Sequence, residues 1–226
     1  MLLVSATDLD RRAAQHRAAI DAAVAAGARH LIYTSGLAPA PPNPAVVAPS
    51  HYETERHLES VGVPFTILRN SLYAEYQAAD AERAMATGVL VHNWGDGRIA
   101  HVSREDCAAA AAAVLVGEGH ENAVYDITGP EAASAADQAK LYGELGGRAI
   151  EAIALDDADF VARLVGDAAD DDHLKYGAEL VASFGRSIRE GYMASCTATV
   201  ETLTGRRART LRQTLEAIGV AGVRRT

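Results

Sequence analysis

The chain contains very little cysteine. Among its 226 residues only Cys107 and Cys196 are cysteines, and they stand far apart in the sequence. Two such residues cannot build the disulfide framework of a small secreted protein, and they lack the paired spacing of a zinc site. We therefore expect two reduced thiols in a cytoplasmic protein.

Aromatic residues and positive charge are also scarce. Phe, Trp and Tyr together make up 5% of the chain, and 21 Lys and Arg face 30 Asp and Glu, which gives a net charge of −9. A surface of this sign repels phosphate backbones, so a nucleic-acid partner is not expected. With few aromatic residues, the core must be filled mostly by Ala, Val, Leu and Ile.

Long hydrophobic runs are absent as well. No stretch approaches the roughly 18 uninterrupted apolar residues of a membrane-spanning helix. The apolar start of the chain is only a few residues long and leads into acids, unlike a signal peptide. We expect a soluble protein without a membrane segment.

What is present is an alternation of short apolar runs with helical segments. The predicted strands are Leu2–Ser5, His30–Thr34, Phe65–Arg69, Val89–His92 and Val124–Ile127. Such an alternation, with right-handed crossovers, predicts a doubly wound parallel α/β sheet.

The intervening helices carry recognisable end signals. Asp8 or Asp10 is a predicted cap of the first helix, and Ser50 with Glu53 fits a capping box for the second. A further helix is predicted over about Ala74–Ala86. Ser103 and Asp106 are predicted to cap the alanine-rich helix that follows.

The pattern changes after Gly129. A helix over about Ala135–Leu145, a strand over Ile150–Leu155 and several further helices predict a smaller α-rich lobe, with Asp167–Asp172 as a solvated loop. We therefore predict two units, residues 1–130 and residues 131–226.

A glycine-rich phosphate loop is missing after the first predicted strand. Parallel sheets that bind dinucleotides usually carry G-x-G-x-x-G there, so that backbone N–H groups can approach the pyrophosphate. In this chain the first glycine is Gly27, at the predicted end of a helix. The residues alone thus predict a parallel sheet without a phosphate cradle.

Several segments, in order along nearly the whole chain, carry a resemblance to a known family. They are Ala13–Gly27, His30–Ser35, His51–Asn70, Gly95–Ala112, Tyr125–Pro130 and the tail Glu179–Leu215. In them the chain resembles the NmrA-like branch of atypical short-chain dehydrogenases, and its type 2 NAD(P)H:quinone oxidoreductases in particular. The resemblance implies a Rossmann-type fold in which Leu2–Ser5 corresponds to the fourth strand of the family's sheet. Three earlier strands, with the glycine loop, are then expected to be absent, which leaves Leu2–Ser5 as an exposed sheet edge.

The resemblance also implies a cofactor, NADP or NAD, and a small quinone-like acceptor. Carried over position by position, the contacts on the nicotinamide side are Ser5, Ala6, Thr7, Arg12, Thr34, Ser35, Asn70, Ser71, Leu72, Tyr73, Ala74 and Glu75. Trp94 either lines the acceptor pocket or anchors its own turn.

Tyr52 and Arg56 are the predicted catalytic pair. Short-chain dehydrogenases use a Tyr with a Lys four residues later, where the cation holds the ribose and lowers the pKa of the Tyr. Arg56 keeps the charge and the spacing. The alternative is an ordinary helix-surface tyrosine, because a quinone accepts hydride directly and can take its proton from water.

Two other functions stay open at this point. One is a non-catalytic NmrA-like sensor or degenerate remnant, since the phosphate cradle is missing. The other is a structural partner, in a possible homodimer, that completes its sheet with another chain. No metal site is expected, because none of the eight histidines stands in helical register with a second ligand. Arg206, Arg207, Arg209 and Arg212 are interpreted as helix-terminal charge.

Overall fold

The computed structural model describes residues 1–166 and 171–220. Its main sheet has four parallel strands that lie side by side in the following order. They are β1 (Leu2–Leu3), β2 (Leu31–Gly36), β3 (Phe65–Asn70) and β5 (Ala123–Ile127). The predicted parallel sheet is confirmed, and its strands end at the same edge because all of them run in one direction.

Helices cover both faces of this sheet. On one face lie α1 (Arg12–Ala25) and α2 (Ala48–Ser60), packed over Leu31, Tyr33 and Ile67. On the other face lie α4 (Arg104–Val116) and α8 (Thr199–Thr204), packed over Ile32 and Leu68. Successive strand residues alternate between the two helical layers, as the pleat of a strand requires.

The first strand is the edge of the main sheet. Only Leu2 and Leu3 pair with β2, and the next residue, Val4, is 65% exposed. Within the described residues no strand pairs with the other side of β1. Among the described residues β1 is thus an edge strand, and it is two residues shorter than predicted.

One predicted strand lies elsewhere. Val89–His92 (β4) does not join the main sheet but pairs in parallel with β6 (Glu151–Ala154) in a second, two-stranded sheet. Its burial alternates, with Leu90 and His92 inward, whereas β2 and β3 are buried on both faces. The second sheet therefore draws on both sides of residue 130, and the division of the chain there stays a prediction.

Two helix starts differ from expectation. α2 begins at Ala48, before the predicted box of Ser50 and Glu53, because Pro49 is tolerated in a first turn. The Ser50 hydroxyl donates instead to the carbonyl of Val47 at 3.0 Å. α1 has no side-chain cap, although the Asp8 carboxylate accepts the N–H of Arg11 at 3.2 Å.

Other predicted elements agree closely. Ser103 caps α4 by accepting the N–H of Asp106 at 3.0 Å. The predicted helix at Ala74–Ala86 is divided into a 3-10 turn (Ala74–Tyr76) and α3 (Gln77–Thr87). The remaining helices are α5 (Ala135–Gly146), α6 (Asp157–Val165), α7 (Asp172–Arg189) and α9 (Leu211–Ala217). Most of the predicted acidic loop, residues 167–170, lies outside the described residues.

The arginines of the tail bind carboxylates of earlier helices. Arg206 contacts the fully buried Asp106 at 2.5 Å, Arg209 contacts Glu105 at 2.8 Å, and Arg212 pairs with Glu144. These pairs attach the tail to α4 and α5. No helix in the described part of the chain has the length and apolar character needed to cross a membrane.

Candidate functional site

The carboxyl ends of β1, β2 and β3 bring several predicted cofactor contacts together. The backbone N–H of Ser5 donates to Thr34 Oγ1 at 3.0 Å. Across β2 and β3, Ser35 stands opposite Arg69 and Gly36 stands opposite Asn70. In doubly wound sheets this edge is where ligands bind. The structure thus assembles into one region residues that lie as much as 65 positions apart in the sequence.

The loop after β1 is held by α1. The N–H of Ala6 donates to His16 Nε2 at 2.8 Å, and the carbonyl of Ala6 accepts from Arg12 Nε at 2.7 Å. Both side chains are buried, at 1% and 8% exposure. Two consecutive peptide groups of this loop, the one before and the one after the Cα atom of Ala6, are therefore held by side chains of α1.

A second layer of polar groups supports these two side chains. His16 Nδ1 lies 2.9 Å from Thr54 Oγ1, and His51 Nε2 lies 3.3 Å from Arg12 Nη1. The Tyr33 hydroxyl lies 2.7 Å from His51 Nδ1. We refer to Arg12, His16, Tyr33, His51 and Thr54 as the histidine cluster.

Burial sets the protonation of the histidine cluster. Desolvation, with the positive charge of Arg12 as a smaller cause, lowers the pKa of His16 to about 4 and that of His51 to about 3. Desolvation also raises the pKa of Tyr33. At neutral pH both imidazoles are therefore uncharged, and Arg12 carries the positive charge of the cluster.

An ion pair beside the histidine cluster joins the ends of β2 and β3. Glu55 is fully buried and accepts from Arg69 Nε at 3.0 Å and Arg69 Nη2 at 2.6 Å. The same carboxylate accepts from the Ser35 hydroxyl at 2.6 Å. The hydrogen bonds to Glu55 raise the pKa of Arg69. This fork geometry fixes the strand ends from α2.

The segment after β3 presents buried polar atoms that lack partners. Asn70 Oδ1, Ser71 Oγ and Glu75 Oε2 are buried without a hydrogen-bond partner in the described structure. The other oxygen of Glu75 accepts the N–H of Arg104 at 2.9 Å. Buried polar atoms are nearly always paired in folded proteins, so three orphans in six residues indicate a place for a ligand with hydrogen-bond donors.

An apolar cluster lies beside these orphans. It consists of Leu37, Leu72, Trp94, Ile99, Phe184, Ile188 and Met193. Leu37 follows β2 and its N–H donates to the carbonyl of Asn70 at 3.1 Å. The cluster therefore adjoins the carboxyl edge of the main sheet.

Trp94 anchors its own turn and also packs in the apolar cluster, and its role in lining an acceptor pocket stays a prediction. Its carbonyl accepts the N–H of Gly97 at 2.9 Å, which closes the turn, and its side chain belongs to the apolar cluster. The indole Nε1 is buried and has no partner in the described structure. The neighbouring Asn93 anchors the turn by donating to Asp157 and to the carbonyl of Ala182.

Tyr52 and Arg56 lie on another side of α2. Arg56 is exposed and pairs with Glu59, and its guanidinium carbon stands 5.4 Å from the centre of the Tyr52 ring. The buried residues of α2 are instead Ala48, His51, Thr54, Glu55 and Leu58. The catalytic role of Tyr52 and Arg56 stays a prediction.

Sequence reasoning missed the residues that hold the site together, namely His16, Tyr33, His51, Glu55 and Arg69. A signal was available in α1, where the buried stripe runs through Arg12, His16, Ile20 and Ala23. Its first two members are polar although they share a helix face with the core. In the described residues no group of three or more His, Cys, Asp and Glu is arranged for a metal ion.

A comparison of the whole chain with known proteins gives a consistent result. No family model matches the chain. Quinone oxidoreductase 2 of Escherichia coli is 40% identical over 164 residues, which are 73% of this chain and 57% of that protein. An NmrA-like family domain-containing oxidoreductase of Aspergillus flavus is 30% identical over 148 residues, which are 64% of this chain and 47% of that protein.

Among solved structures, the NADPH complex of the E. coli quinone oxidoreductase QOR2 superposes with a TM-score of 0.89 at 34% identity. The match covers 96% of this chain and 75% of that one. The fold is therefore a Rossmann-like α/β fold of the kind found in NAD(P)-binding reductases. The chain belongs to the NmrA-like oxidoreductase family that includes quinone oxidoreductase 2. It spans 57% of the length of the E. coli protein.

Proposed function

We propose that this chain takes part in the NAD(P)H-dependent reduction of a quinone-like acceptor. The observation that carries the proposal is the set of unpartnered buried atoms of Asn70, Ser71 and Glu75 at the carboxyl edge of the main sheet. The E. coli relative was solved with NADPH bound, and it shares this fold at 34% identity.

The residues present fit the nicotinamide end of such a cofactor. Ribose hydroxyls and the carboxamide offer donors, and Asn70 Oδ1 and Glu75 Oε2 are acceptors without partners. The loop Ser5–Thr7, with Thr34 and Ser35, lies at the same edge of the sheet. When bound, the nicotinamide supplies a hydride. The protein orients the ring and excludes water.

The apolar cluster fits a flat acceptor beside the nicotinamide. Leu72, Trp94 and Phe184 offer apolar and aromatic surface, as pockets for small molecules usually do. A quinone carries carbonyl oxygens, which accept hydrogen bonds. The unpartnered Nε1–H of Trp94 is the donor we assign to one of them.

The test is a titration of the chain with NADPH, followed by fluorescence, together with quinone-dependent NADPH oxidation. We expect saturable binding and turnover, and we expect Asn70→Ala to weaken NADPH binding about tenfold, as loss of one good hydrogen bond does. Gln15→Ala, an exposed change on α1, is the matched control. Binding without oxidation would favour the non-catalytic sensor, and absence of both would refute the proposal.

Two further variants examine the chemistry. We expect Trp94→Phe to raise KM for the quinone several-fold while KM for NADPH is unchanged. The reason is that the lost indole N–H is assigned to the quinone and not to the cofactor. For Tyr52→Phe we expect loss of kcat if the hydroxyl delivers a proton. Unchanged kcat would show that water delivers it and would remove Tyr52 from the catalytic set.

A further inference from the structure

The backbone N–H and the backbone carbonyl of Ala6, in the loop after β1, are both bound by side chains. His16 accepts the N–H of Ala6 at 2.8 Å, and Arg12 donates to its carbonyl at 2.7 Å. The two residues are one helical turn apart on α1, so that both reach the same loop. We call this arrangement the Ala6 clamp.

The clamp fixes the tautomer of His16. A backbone N–H can only donate, so Nε2 must carry a lone pair and the ring proton of the neutral imidazole resides on Nδ1. That proton points to Thr54 Oγ1 at 2.9 Å. The Thr54 hydroxyl in turn donates to the carbonyl of Ser50 at 2.7 Å. The chain of hydrogen bonds therefore runs in one direction from the loop, through α1, into α2.

The clamp is needed because little else holds the loop. Strand β1 ends at Leu3, Val4 is 65% exposed, and Ser5 has a hydrogen bond only from its N–H to Thr34 among the contacts of the described chain. Apolar packing thus contributes little to this segment. A polar loop without packing keeps one conformation only when its peptide groups are bound.

We propose that His16 and Arg12 are positioning residues, which hold the loop Ser5–Thr7 in the conformation that receives the nicotinamide end of the cofactor. This inference rests on the proposed function. Neither residue needs to touch the cofactor, because each acts through the backbone of Ala6. A pre-formed loop strengthens binding, since less freedom is lost when the ligand arrives.

Three variants test the clamp. His16→Ala removes the acceptor, whereas His16→Gln keeps one, because the Gln Oε1 can reach the place of Nε2. His57→Gln is the matched control, since His57 also joins α1 to α2, by a hydrogen bond to Asp21 at 2.7 Å, but does not contact the loop. The probe is NADPH, whose Kd and KM are measured beside kcat.

We expect His16→Ala to raise the Kd and KM of NADPH about tenfold with kcat changed less than threefold, and His16→Gln and His57→Gln to stay within about threefold of wild type. Nitrogen-15 spectra should show an unprotonated Nε2 at His16. The Ala6 amide should exchange more slowly with solvent in wild type than in His16→Ala.

The outcomes separate the two ideas. If the wild-type chain does not bind NADPH, the proposed function fails and this inference fails with it. If wild type binds but His16→Ala binds equally well, the clamp alone is overturned. The same holds if His57→Gln weakens binding as much as His16→Ala, or if the spectra place a proton on Nε2.

Discussion

The layer formed by α1 and α2 has two halves that differ in chemistry although they belong to the same helices. Far from the carboxyl edge of the sheet the layer is apolar, with Ile20, Ala23, Leu31, Leu58 and Ile67 in one core cluster. Near that edge the same helical stripes contain Arg12, His16, His51 and Glu55, all of them buried.

The two halves differ in what burial contributes to stability. Burial of apolar side chains stabilises the fold directly. Buried polar groups instead lose hydration, and they are tolerated only when hydrogen bonds replace it. In this molecule the buried polar groups lie where the predicted cofactor contacts converge. The polar half therefore contributes less to stability than an apolar core would, but it fixes the loop after β1 and the ends of β2 and β3. Four changes test this comparison.

The largest effect is expected for Glu55→Ala. The change leaves the guanidinium of Arg69 in the protein without its carboxylate and removes the acceptor of the Ser35 hydroxyl. Breaking a buried pair by removing one partner costs about 3–5 kcal/mol. We expect a loss of that size in the free energy of unfolding, measured by urea denaturation.

Glu59→Ala is the control for this change. Glu59 lies one turn further along α2 and pairs with the exposed Arg56, so its loss should alter the unfolding free energy by less than about 1 kcal/mol. Equal effects of the two substitutions would mean that the Glu55 pair contributes no more than a surface pair.

A slightly smaller loss is expected for Leu58→Ala in the apolar half. Leu58 is 1% exposed, and truncation of a buried leucine costs about 2–5 kcal/mol through lost burial and the cavity left behind. Because Leu58 belongs to the apolar half, the Kd of NADPH should stay at the wild-type value in the folded protein. Weaker binding in Leu58→Ala would show that the two halves are coupled.

The fold was largely predictable from the sequence. β2, β3 and β5 lie within one or two residues of the predicted strands, because each is an apolar run bounded by loop residues. The sheet that β4 joins was not predictable, since its partner β6 lies about 60 residues later and both strands are only four residues long. Local sequence patterns indicate where a strand lies, but they do not indicate which strand pairs with it.

The site was predictable only in part. The stretch Asn70–Glu75 came from the family resemblance, and its unpartnered atoms now support it. Glu55 was missed because a glutamate in a helix usually faces solvent, and only the packing of α2 on β2 and β3 shows that it is buried. His16 was missed as well. Its hydrogen-bond partner is a backbone N–H, and a backbone group leaves no signal in the sequence.

A moderate effect is expected from acid. The pKa of His16 is about 4 and that of His51 about 3, both below the usual 6.5, so each favours the folded state while it is neutral. This stability is complete above about pH 6.5 and declines as the pH falls towards 4. At pH 5 the burial of each histidine should lower the free energy of unfolding by about 2 kcal/mol.

The measurement is the free energy of unfolding in urea between pH 7 and 5, in wild type and in His16→Gln. Glutamine does not titrate, so the variant should lose about 2 kcal/mol less than wild type over that range. Parallel pH profiles would show that His16 is not held neutral by burial.

The smallest effect is expected for His57→Gln, and it sharpens the comparison most directly. His57 and Asp21 join α1 to α2 as the histidine cluster does, but the Asp21 side chain is 56% exposed. Water can replace the lost hydrogen bond, so the unfolding free energy should change by about 0–1 kcal/mol. His16→Ala removes a buried link between the same two helices. It leaves the N–H of Ala6 without its acceptor and the Thr54 oxygen without the donor from His16. Its cost should therefore exceed that of His57→Gln by about 1–3 kcal/mol. If the two variants unfold at the same urea concentration, burial of the polar half has no energetic consequence and the contrast between the halves is one of composition alone.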